Sequence, residues 1–282
     1  MEVTAVGGTM RRSFHGLEFV PDTRPPYTHF RRRLKARAHL LGTFVKTPTT
    51  HATEILGILG FDFVIIDQEH APIDRSAIDV MVLAARASNT AGIVRVGDPG
   101  EANILSVLDC GASGIFVPHV DRPDKAREIV AACRYRGGRR GFANTTRAGS
   151  FGEVSFPDHI AAQDSQVACI AMIEDVAALD HIDAIAAVEG IDAFFIGRGD
   201  LTAALGASSV TSAETQKIVD PIMAAARRAG MPVIMLSADR KDAITMAKLG
   251  ATAFIASSDH GFLKQAARQA LAEFSPPIGE PS

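Results

Sequence analysis

Short runs of apolar and β-branched residues recur along the chain, and stretches with helical periodicity separate them. Because each run is apolar along its whole length, both faces of each strand are expected to be buried, as in parallel sheets covered by helices. The runs predict eight strands, at Leu40–Lys46, Phe61–Asp67, Gly92–Val96, Gly114–His119, Val167–Glu174, Asp192–Gly197, Met231–Leu236 and Ala251–Ser257.

The helical stretches between these runs have recognisable ends, such as the capping residue Ser212 and the terminal Gly230. Helices are predicted at Asp124–Cys133, Ala213–Ala229, Lys241–Leu249 and Phe262–Phe274. The 236 residues from His39 to Phe274 give about 30 residues for each strand and its helix. This regular alternation predicts a parallel, eight-stranded (β/α)8 TIM barrel, which typically needs ~250 residues, in preference to a doubly wound open sheet.

The chain outside this pattern lacks a hydrophobic period. Residues 1–28 are interpreted as an N-terminal arm, 29–275 as the barrel domain and 276–282 as a C-terminal tail. Within the barrel, 55 residues separate His119 from Glu174, where neighbouring strand ends are 24 to 26 residues apart. The additional residues of this connection include several arginines between 134 and 147. It is interpreted either as a basic surface loop, or as a segment that binds a substrate's distal anionic group or another subunit.

Composition narrows the possible functions. Hydrophobic residues make up 47% and charged residues 22%, which excludes a disordered chain. A formal charge of −3 does not favour nucleic acid or an anionic membrane as the main partner, and the basic cluster Arg31–Arg33 is interpreted as a solvated helix at the barrel's base. No apolar run approaches the ~18 residues of a membrane span, and the first residues do not resemble a secretory signal.

The cysteines point to a reducing compartment. The three residues, Cys110, Cys133 and Cys169, have no paired spacing and lie in apolar stretches. We therefore expect buried, reduced thiols in a cytoplasmic protein, with a thiol nucleophile as the minor alternative.

Ionisable residues follow the predicted strands at their carboxyl ends, where barrel enzymes form their active sites. Strand two ends in Asp67-Gln68-Glu69-His70, and strand three carries Arg95. Strand five ends at Glu174, and strand six is followed by Gly197-Arg198-Gly199-Asp200. A charged residue that closes a buried strand faces the barrel mouth or the surrounding helices, so this clustering predicts a catalytic site.

Glu174 and Asp200 end adjacent strands, which lie about 4.8 Å apart in a parallel sheet. Two carboxylates at that spacing repel each other unless a cation lies between them. Oxygen ligands with open positions for water and substrate are typical of Mg²⁺ or Mn²⁺, so the pair predicts a divalent metal site. The alternative is that one acid pairs with Arg198 or Arg95.

A second group of candidates is Asp67 with His70, in which the carboxylate would orient the imidazole for acid–base catalysis. His119 is a lone histidine and is interpreted as structural. Gly197 and Gly199 lack the third glycine of a dinucleotide-binding turn; we expect them to let backbone amides approach a bound carboxylate.

The residues in this order resemble the HpcH/HpaI family of metal-dependent, class II 2-oxo acid aldolases. Residues 63–72 match its D-x-E-H-x-P signature, and the resemblance extends from about Leu40 to Leu271. The motifs that follow in the family's order are Val94-Arg95, Gly111–Pro118, Met172-Ile173-Glu174 and Phe195–Leu201.

The resemblance implies a (β/α)8 barrel that is usually hexameric, with a C-terminal helix exchanged between subunits. It places Mg²⁺ or Mn²⁺ on Glu174 and Asp200, Arg95 against the oxo or enolate oxygen, and His70 with Asp67 as the acid–base dyad. Backbone amides around Gly199 would hold the pyruvyl carboxylate, and Asp109 matches an acid near the neighbouring subunit's site. Three positions depart from the family pattern, Gln68, Met172 and Arg198; Arg198 puts a guanidinium near the mouth, where it could bind an acidic substrate tail.

The function expected is reversible aldol cleavage of a 4-hydroxy-2-oxo acid to pyruvate and an aldehyde. A Schiff-base aldolase using Lys46 is the nearest mechanistic alternative. A lyase of malyl- or citryl-CoA type would need a basic groove, for which the arginines between 134 and 147 are the candidates. A non-catalytic, dicarboxylate-binding barrel would be expected to lack one of the four strand-end groups, and none is absent.

Overall fold

The computed structural model describes residues 8–13 and 16–275, with side chains from residue 22 onward. The strands are β1 (Gly8–Ser13), β2 (Gly16–Pro21), β3 (Leu40–Val45), β4 (Phe63–Asp67), β5 (Ala91–Arg95), β6 (Gly114–Val117), β7 (Ala168–Ile173), β8 (Ala193–Ile196), β9 (Val233–Ser237) and β10 (Ala253–Ser258). The helices are α1 (Phe30–Lys35), α2 (Thr50–Leu59), α3 (Arg75–Ala87), α4 (Glu101–Asp109), α5 (Pro123–Cys133), α6 (Phe156–Gln166), α7 (Ile182–Ala186), α8 (Arg198–Leu205), α9 (Ala213–Arg228), α10 (Arg240–Leu249) and α11 (Asp259–Phe274).

Strands β3 to β10 form a closed, all-parallel barrel in which each strand pairs with the next and β10 pairs with β3. The predicted (β/α)8 TIM barrel is therefore confirmed, and all eight predicted strands lie within two residues of the observed ones. Ser212 caps α9 as predicted, since its hydroxyl accepts a hydrogen bond from the Thr215 amide.

The barrel has two apolar layers that follow from the two-residue period of a strand. Along β4, Phe63 and Ile65 pack into the barrel interior, whereas Val64 and Ile66 pack against the helices. Helix α1 closes the base of the interior, where the ring centroids of Phe30 and Phe63 lie 5.3 Å apart.

The basic cluster on α1 is paired with acids rather than solvated. Arg31 donates to both carboxylate oxygens of buried Asp192 at 2.9 and 2.8 Å, and Arg33 lies 2.8 Å from Asp62. Both acids immediately precede a barrel strand, so these ion pairs fasten α1 to the base of the barrel. The prediction of a helix at the base is confirmed, but the prediction of a solvated charged face is wrong for these two arginines.

The arginines of the long connection between β6 and β7 do not line the cavity at the carboxyl ends of the strands. Arg134 donates to the Val167 carbonyl at 3.0 Å and to Asp192 at 3.3 Å, and Arg147 lies 2.7 Å from Asp79. Arg140 is buried against the Tyr135 ring, 4.6 Å from its centroid. Arg134, Arg140 and Arg147 therefore have intramolecular partners and are not free cations for a distal anionic group, whereas Arg136 and Arg139 are exposed on the surface.

The chain before α1 was expected to be an extended arm, but β1 and β2 form a two-stranded antiparallel sheet. Residues 1–7 and 14–15 of the predicted arm, and the predicted tail 276–282, lie outside the described residues. The three cysteines are buried and unpaired, as expected. Within the described part of the chain, no helix has the length and hydrophobicity needed to cross a membrane.

Candidate active site

A cavity of about 570 Å³ opens at the carboxyl ends of the barrel strands. Its wall combines apolar side chains with charged ones, and its size falls within the range of ligand-binding pockets. The charged and polar side chains that line it are Lys46, His70, Arg95, Arg198, Asp200, Ser257, Ser258 and Lys264. The strand-end residues of β3, β5, β8, β9 and β10 thus meet at one end of the barrel, as the sequence predicts.

Asp67 organises one side of this cavity. Its carboxylate accepts hydrogen bonds from Arg95 Nε and Nη2 at 2.8 and 2.7 Å, because β4 and β5 pair in register at these two residues. Lys46 Nζ lies 3.2 Å from the same carboxylate. Burial alone would raise the pKa of Asp67, but the hydrogen bonds and charge of Arg95 outweigh it and lower that pKa. Asp67 is therefore an ionised anchor for two cations.

The Asp67–imidazole dyad expected from the sequence is not formed. Asp67 Oδ1 accepts a hydrogen bond from the backbone amide of His70 at 3.1 Å, while the His70 ring extends toward solvent. The nearest acid to the ring is Glu69, whose Oε2 lies 3.7 Å from His70 Nε2 and 3.3 Å from Arg95 Nη1. The turn after β4 uses Asp67 to fix the backbone, which leaves the ring beside Glu69.

Glu174 lies directly after β7. Its side chain is only 3% exposed, and Oε1 accepts a hydrogen bond from the His119 amide at 2.9 Å. Burial raises the pKa of Glu174 to about 7; the His119 hydrogen bond opposes this rise and the negative charge of Asp200 adds to it. A buried carboxyl whose pKa is raised beside a second carboxylate fits a site that binds a cation, because a positive charge would stabilise both ionised groups.

The backbone at Gly197 makes room for this pair. A Cβ atom at Gly197 would lie 2.5 Å from Glu174 Cβ and 2.7 Å from its Oε2, so no other residue fits without displacing the carboxylate. Asp200 follows in the first turn of α8 and lines the cavity. Two carboxylates with an open cavity beside them fit a hard divalent cation that keeps water and substrate as its other ligands. Among the described residues, no group of three or more His, Cys, Asp or Glu is placed to hold a metal ion, so the site would have only these two side-chain ligands.

Arg198 was expected to bind substrate, but its guanidinium is held elsewhere. It is only 4% exposed and donates to both carboxylate oxygens of Asp242, at 2.9 and 2.5 Å, and to the Leu236 carbonyl at 2.7 Å. Burial raises the pKa of Asp242, but the hydrogen bonds from Arg198 and the Ala238 amide outweigh it and hold that pKa below its ordinary value. This buried, bidentate pair ties α8 to α10 and leaves Arg198 no free charge for an acidic tail.

Asp109 does not lie in the mouth of its own barrel. It ends α4 and lines a separate cavity with Arg75, Asp79 and Arg147, where Arg140 Nη2 lies 3.5 Å from its carboxylate. Burial raises the pKa of Asp109 despite that arginine. A role for Asp109 at the mouth would therefore require a neighbouring subunit.

Two residues of the mouth were missed by sequence reasoning. His119 keeps the structural role predicted for it, but that role lies at the mouth: its backbone amide holds Glu174, and its Nδ1 lies 3.1 Å from Asp175 Oδ2. Its position directly after β6 was the available signal. Lys264 lies on α11, far along the chain from every motif, and no pattern in the sequence places it at the cavity.

Comparison with known proteins agrees with this geometry. The model of the HpcH/HpaI aldolase/citrate lyase family matches residues 40–266. The chain is 33% identical over 242 residues to a 5-keto-4-deoxy-D-glucarate aldolase of Klebsiella pneumoniae subsp. pneumoniae, covering 85% of this chain and 94% of that protein.

Two solved structures have the same fold. One is an HpcH/HpaI aldolase/citrate lyase family protein from Burkholderia cenocepacia J2315, with a TM-score of 0.83 and 29% identity, covering 88% of this chain and all of that one. The other is the citrate synthase SbnG, with a TM-score of 0.78 and 30% identity, covering 86% of this chain and 96% of that one.

Proposed function

The chain belongs to the HpcH/HpaI aldolase/citrate lyase family and is a carbon–carbon lyase, and we propose that its barrel mouth cleaves a 4-hydroxy-2-oxo acid reversibly to pyruvate and an aldehyde. The observation that carries this proposal is the buried Glu174, whose pKa is raised in part by the charge of Asp200, at the end of the barrel where Asp200 and Arg95 line one cavity. Two carboxylates that can bind a metal ion, together with the guanidinium of Arg95, suit a reaction in which a carbon–carbon bond breaks and negative charge develops on an oxygen.

Glu174 and Asp200 would hold Mg²⁺ or Mn²⁺. When bound there, the metal ion supplies Lewis acidity toward the 2-oxo acid group. The Gly197–Gly199 turn brings backbone amides to the same edge of the cavity, where they would hold the C1 carboxylate. The absence of a side chain at Gly197 is required for Glu174 to stay in place.

Arg95 is positioned to stabilise the enolate. Asp67 and Glu69 engage its Nε, Nη2 and Nη1 atoms, and the guanidinium has further N–H groups that can donate to a substrate oxygen. Its plane also lies against Phe44, with the carbon of the guanidinium 4.9 Å from the ring centroid. These contacts fix Arg95 before substrate arrives, so little reorganisation is needed when negative charge develops on the C2 oxygen.

His70 would serve as the base. Its exposed ring at the cavity rim can remove the C4 hydroxyl proton, directly or through one water. The C3–C4 bond then breaks, its electron pair moves toward the C2 oxygen, and the aldehyde leaves. Protonation of C3 yields pyruvate. Glu69, rather than Asp67, is the carboxylate placed to orient the imidazole.

The residues that a Schiff-base aldolase or a CoA-thioester lyase would use are mostly engaged in other contacts. Lys46 Nζ lies 3.2 Å from Asp67 in an ion pair, where it acts as a hydrogen-bond donor rather than as a nucleophile for a Schiff base. Of the arginines between 134 and 147 that a nucleotide-binding groove would use, Arg134, Arg140 and Arg147 are held by intramolecular partners, and Arg139 forms an exposed ion pair with Glu101.

Metal removal tests the proposal. We expect EDTA to abolish pyruvate release from a panel of 4-hydroxy-2-oxo acids, and Mg²⁺ or Mn²⁺ to restore it, with pyruvate measured by coupled reduction to lactate. Glu174→Gln and Asp200→Asn should each lower kcat by at least about 100-fold, because a half-site binds the ion weakly.

Asp183→Asn, at an exposed ion pair on the barrel surface, is the matched control and should retain full activity. Activity that survives exhaustive chelation would contradict the metal site. Covalent trapping of pyruvate on Lys46 by borohydride would instead favour a Schiff-base enzyme.

A further inference from the structure

A second cavity, of about 210 Å³, lies at the base of the barrel, at the end opposite the mouth. Its wall includes residues 111–113, which directly precede β6, and Val167, which directly precedes β7. Tyr27 and Thr28, ahead of α1, line it as well. The cavity shares no lining residue with the mouth cavity, so a ligand bound here would leave the candidate active site open.

Arg86, in the last turn of α3, supplies the positive charge of this base cavity. Among the side chains described from residue 22 onward, no carboxylate forms an ion pair with its guanidinium. Its Nη1 donates one long hydrogen bond, to the Arg147 carbonyl at 3.4 Å, and its carbon lies 6.0 Å from the centroid of the Tyr27 ring. Because a guanidinium has five N–H groups, most of its donors are left for a ligand.

The backbone around Arg86 keeps space for that ligand. Gly111 has a left-handed φ of 88°, and a Cβ atom there would lie 3.1 Å from Arg86 Nη1. Ser150, also in the wall, has a left-handed φ of 51°, a strained conformation that tends to occur at functional sites.

The rest of the wall adds no second charge. His159 is only 1% exposed and its Nε2 lies 3.1 Å from the Tyr135 hydroxyl. Burial and the charge of Arg140 lower the pKa of His159, which keeps its ring neutral. Serine and glutamine side chains contribute neutral polar groups, and alanine and valine side chains complete the wall. One cation beside neutral donors and a small apolar surface matches a ligand with one negative charge and a short carbon chain.

We propose that the base cavity binds a short-chain monocarboxylate, with the carboxylate on Arg86 and the carbon chain against the alanine and valine side chains. The planar guanidinium presents parallel N–H groups that match the two oxygens of a carboxylate. A dianion such as phosphate would bring two charges to a single cation. The cavity is smaller than the pockets that hold drug-sized ligands, so it accommodates only a few carbon atoms.

The experiment titrates the full chain with propionate, which lacks the 2-oxo group proposed to chelate the metal ion at the mouth. Ligand-observed NMR gives Kd. Arg86→Met should raise Kd at least about tenfold, because the charge-assisted hydrogen bonds to the carboxylate are lost. Propionamide, which has the same shape without the charge, should bind the wild-type protein no better than propionate binds this variant.

A second variant, Ala162→Leu, retains Arg86 but fills the cavity, and it should also weaken binding of propionate. Two control variants should bind propionate like the wild type: Arg127→Met, in an exposed ion pair on α5, and Lys264→Met, at an exposed cation of the mouth. Equal affinity of the wild type and Arg86→Met, or equal affinity for propionamide, would overturn the proposal. It would also fail if the wild type did not bind propionate, or if Lys264→Met abolished binding, which would place propionate at the mouth.

Discussion

At the scale of single residues, the site is organised by ion pairs between buried carboxylates and the neighbouring cationic side chains. Asp67 is completely buried and binds Arg95 and Lys46, so its role is to position cations rather than to exchange protons. Breaking a buried ion pair leaves one charge without a partner and costs several kcal/mol. The function of Arg95 therefore depends on a geometry that only a guanidinium can provide.

Arg95→Lys tests this dependence. A lysine retains the charge but cannot bind Asp67 through two parallel hydrogen bonds, so we expect kcat to fall about 100-fold with a smaller change in KM. Steady-state kinetics of pyruvate release gives both parameters. The same exchange at the exposed Arg127, which lies beside Asp124, is the control and should leave kcat unchanged. Full activity in Arg95→Lys would remove Arg95 from the stabilisation of the enolate.

At the scale of elements, the segment before α1 is fastened to the barrel by one arginine. Arg24 donates to Asp22 and also to the carbonyls of Gly57 and Ser88, at 2.7 and 3.0 Å, near the ends of α2 and α3. Asn89 donates to Asp22 at 2.9 Å. Residues 22–24, which the sequence assigns to the arm, therefore contact the base of the barrel.

This attachment has a pH dependence. The hydrogen bond from Arg24 is the main reason why the pKa of Asp22 falls to about 2, with Asn89 adding to the effect and burial opposing it. A carboxyl whose pKa is lowered on folding stabilises the protein above its ordinary pKa near 4, and that stabilisation disappears as the pH falls toward 2. Solvent screens the pair, so we expect a contribution of about 1 kcal/mol.

Asp22→Asn should therefore lower the free energy of unfolding by about 1 kcal/mol at pH 6, and by about half of that at pH 3. Urea unfolding at both pH values measures the difference from wild type. The same substitution at Asp183, in an exposed ion pair with Arg228, should change the free energy little at either pH. A difference for Asp22→Asn that does not depend on pH would exclude a lowered pKa as its cause.

At the scale of the whole molecule, α11 has apolar residues that its own barrel leaves uncovered. Leu271 and Phe274 are 67% and 85% exposed, and α11 forms an apolar groove with the neighbouring α2, where Leu59 is 72% exposed. Exposed apolar surface of this kind marks a site of association. It is compatible with the hexamer and the exchanged C-terminal helix that the resemblance implies.

We propose that this surface of α11 packs on another copy of the chain, so replacing Leu271 and Phe274 together by serine should shift the protein to smaller species, because the apolar area that the contact would bury is lost. Light scattering coupled to size-exclusion chromatography measures the mass. Ile244→Ser, at an exposed apolar position of α10, is the control and should leave the mass unchanged. A wild-type protein that is already monomeric at micromolar concentration would contradict the assembly.

The periodicity of the sequence was sufficient to predict the barrel and the residues at its mouth. Apolar strands at a regular spacing form a closed parallel sheet, and the carboxyl ends of its strands meet at one edge. Asp67, Arg95, Glu174 and Asp200 could therefore be assigned to the carboxyl ends of the strands without coordinates, and Arg95 and Asp200 line the cavity there. The position of each of these residues follows from where it lies relative to its own strand, which can be read from the neighbouring residues in the sequence.

The sequence could not show which charged side chains form ion pairs with each other, because the partners are distant along the chain and meet only in the tertiary structure. Asp242 lies 44 residues from Arg198, and no spacing rule indicates that it neutralises that guanidinium. Asp67 was next to His70 in sequence but binds Arg95 on the neighbouring strand, because register across the sheet decides which side chains meet. The sequence by itself determined the fold and the charged groups that follow the strands; the tertiary structure decided which of them are neutralised, because their ion-pair partners are distant in sequence.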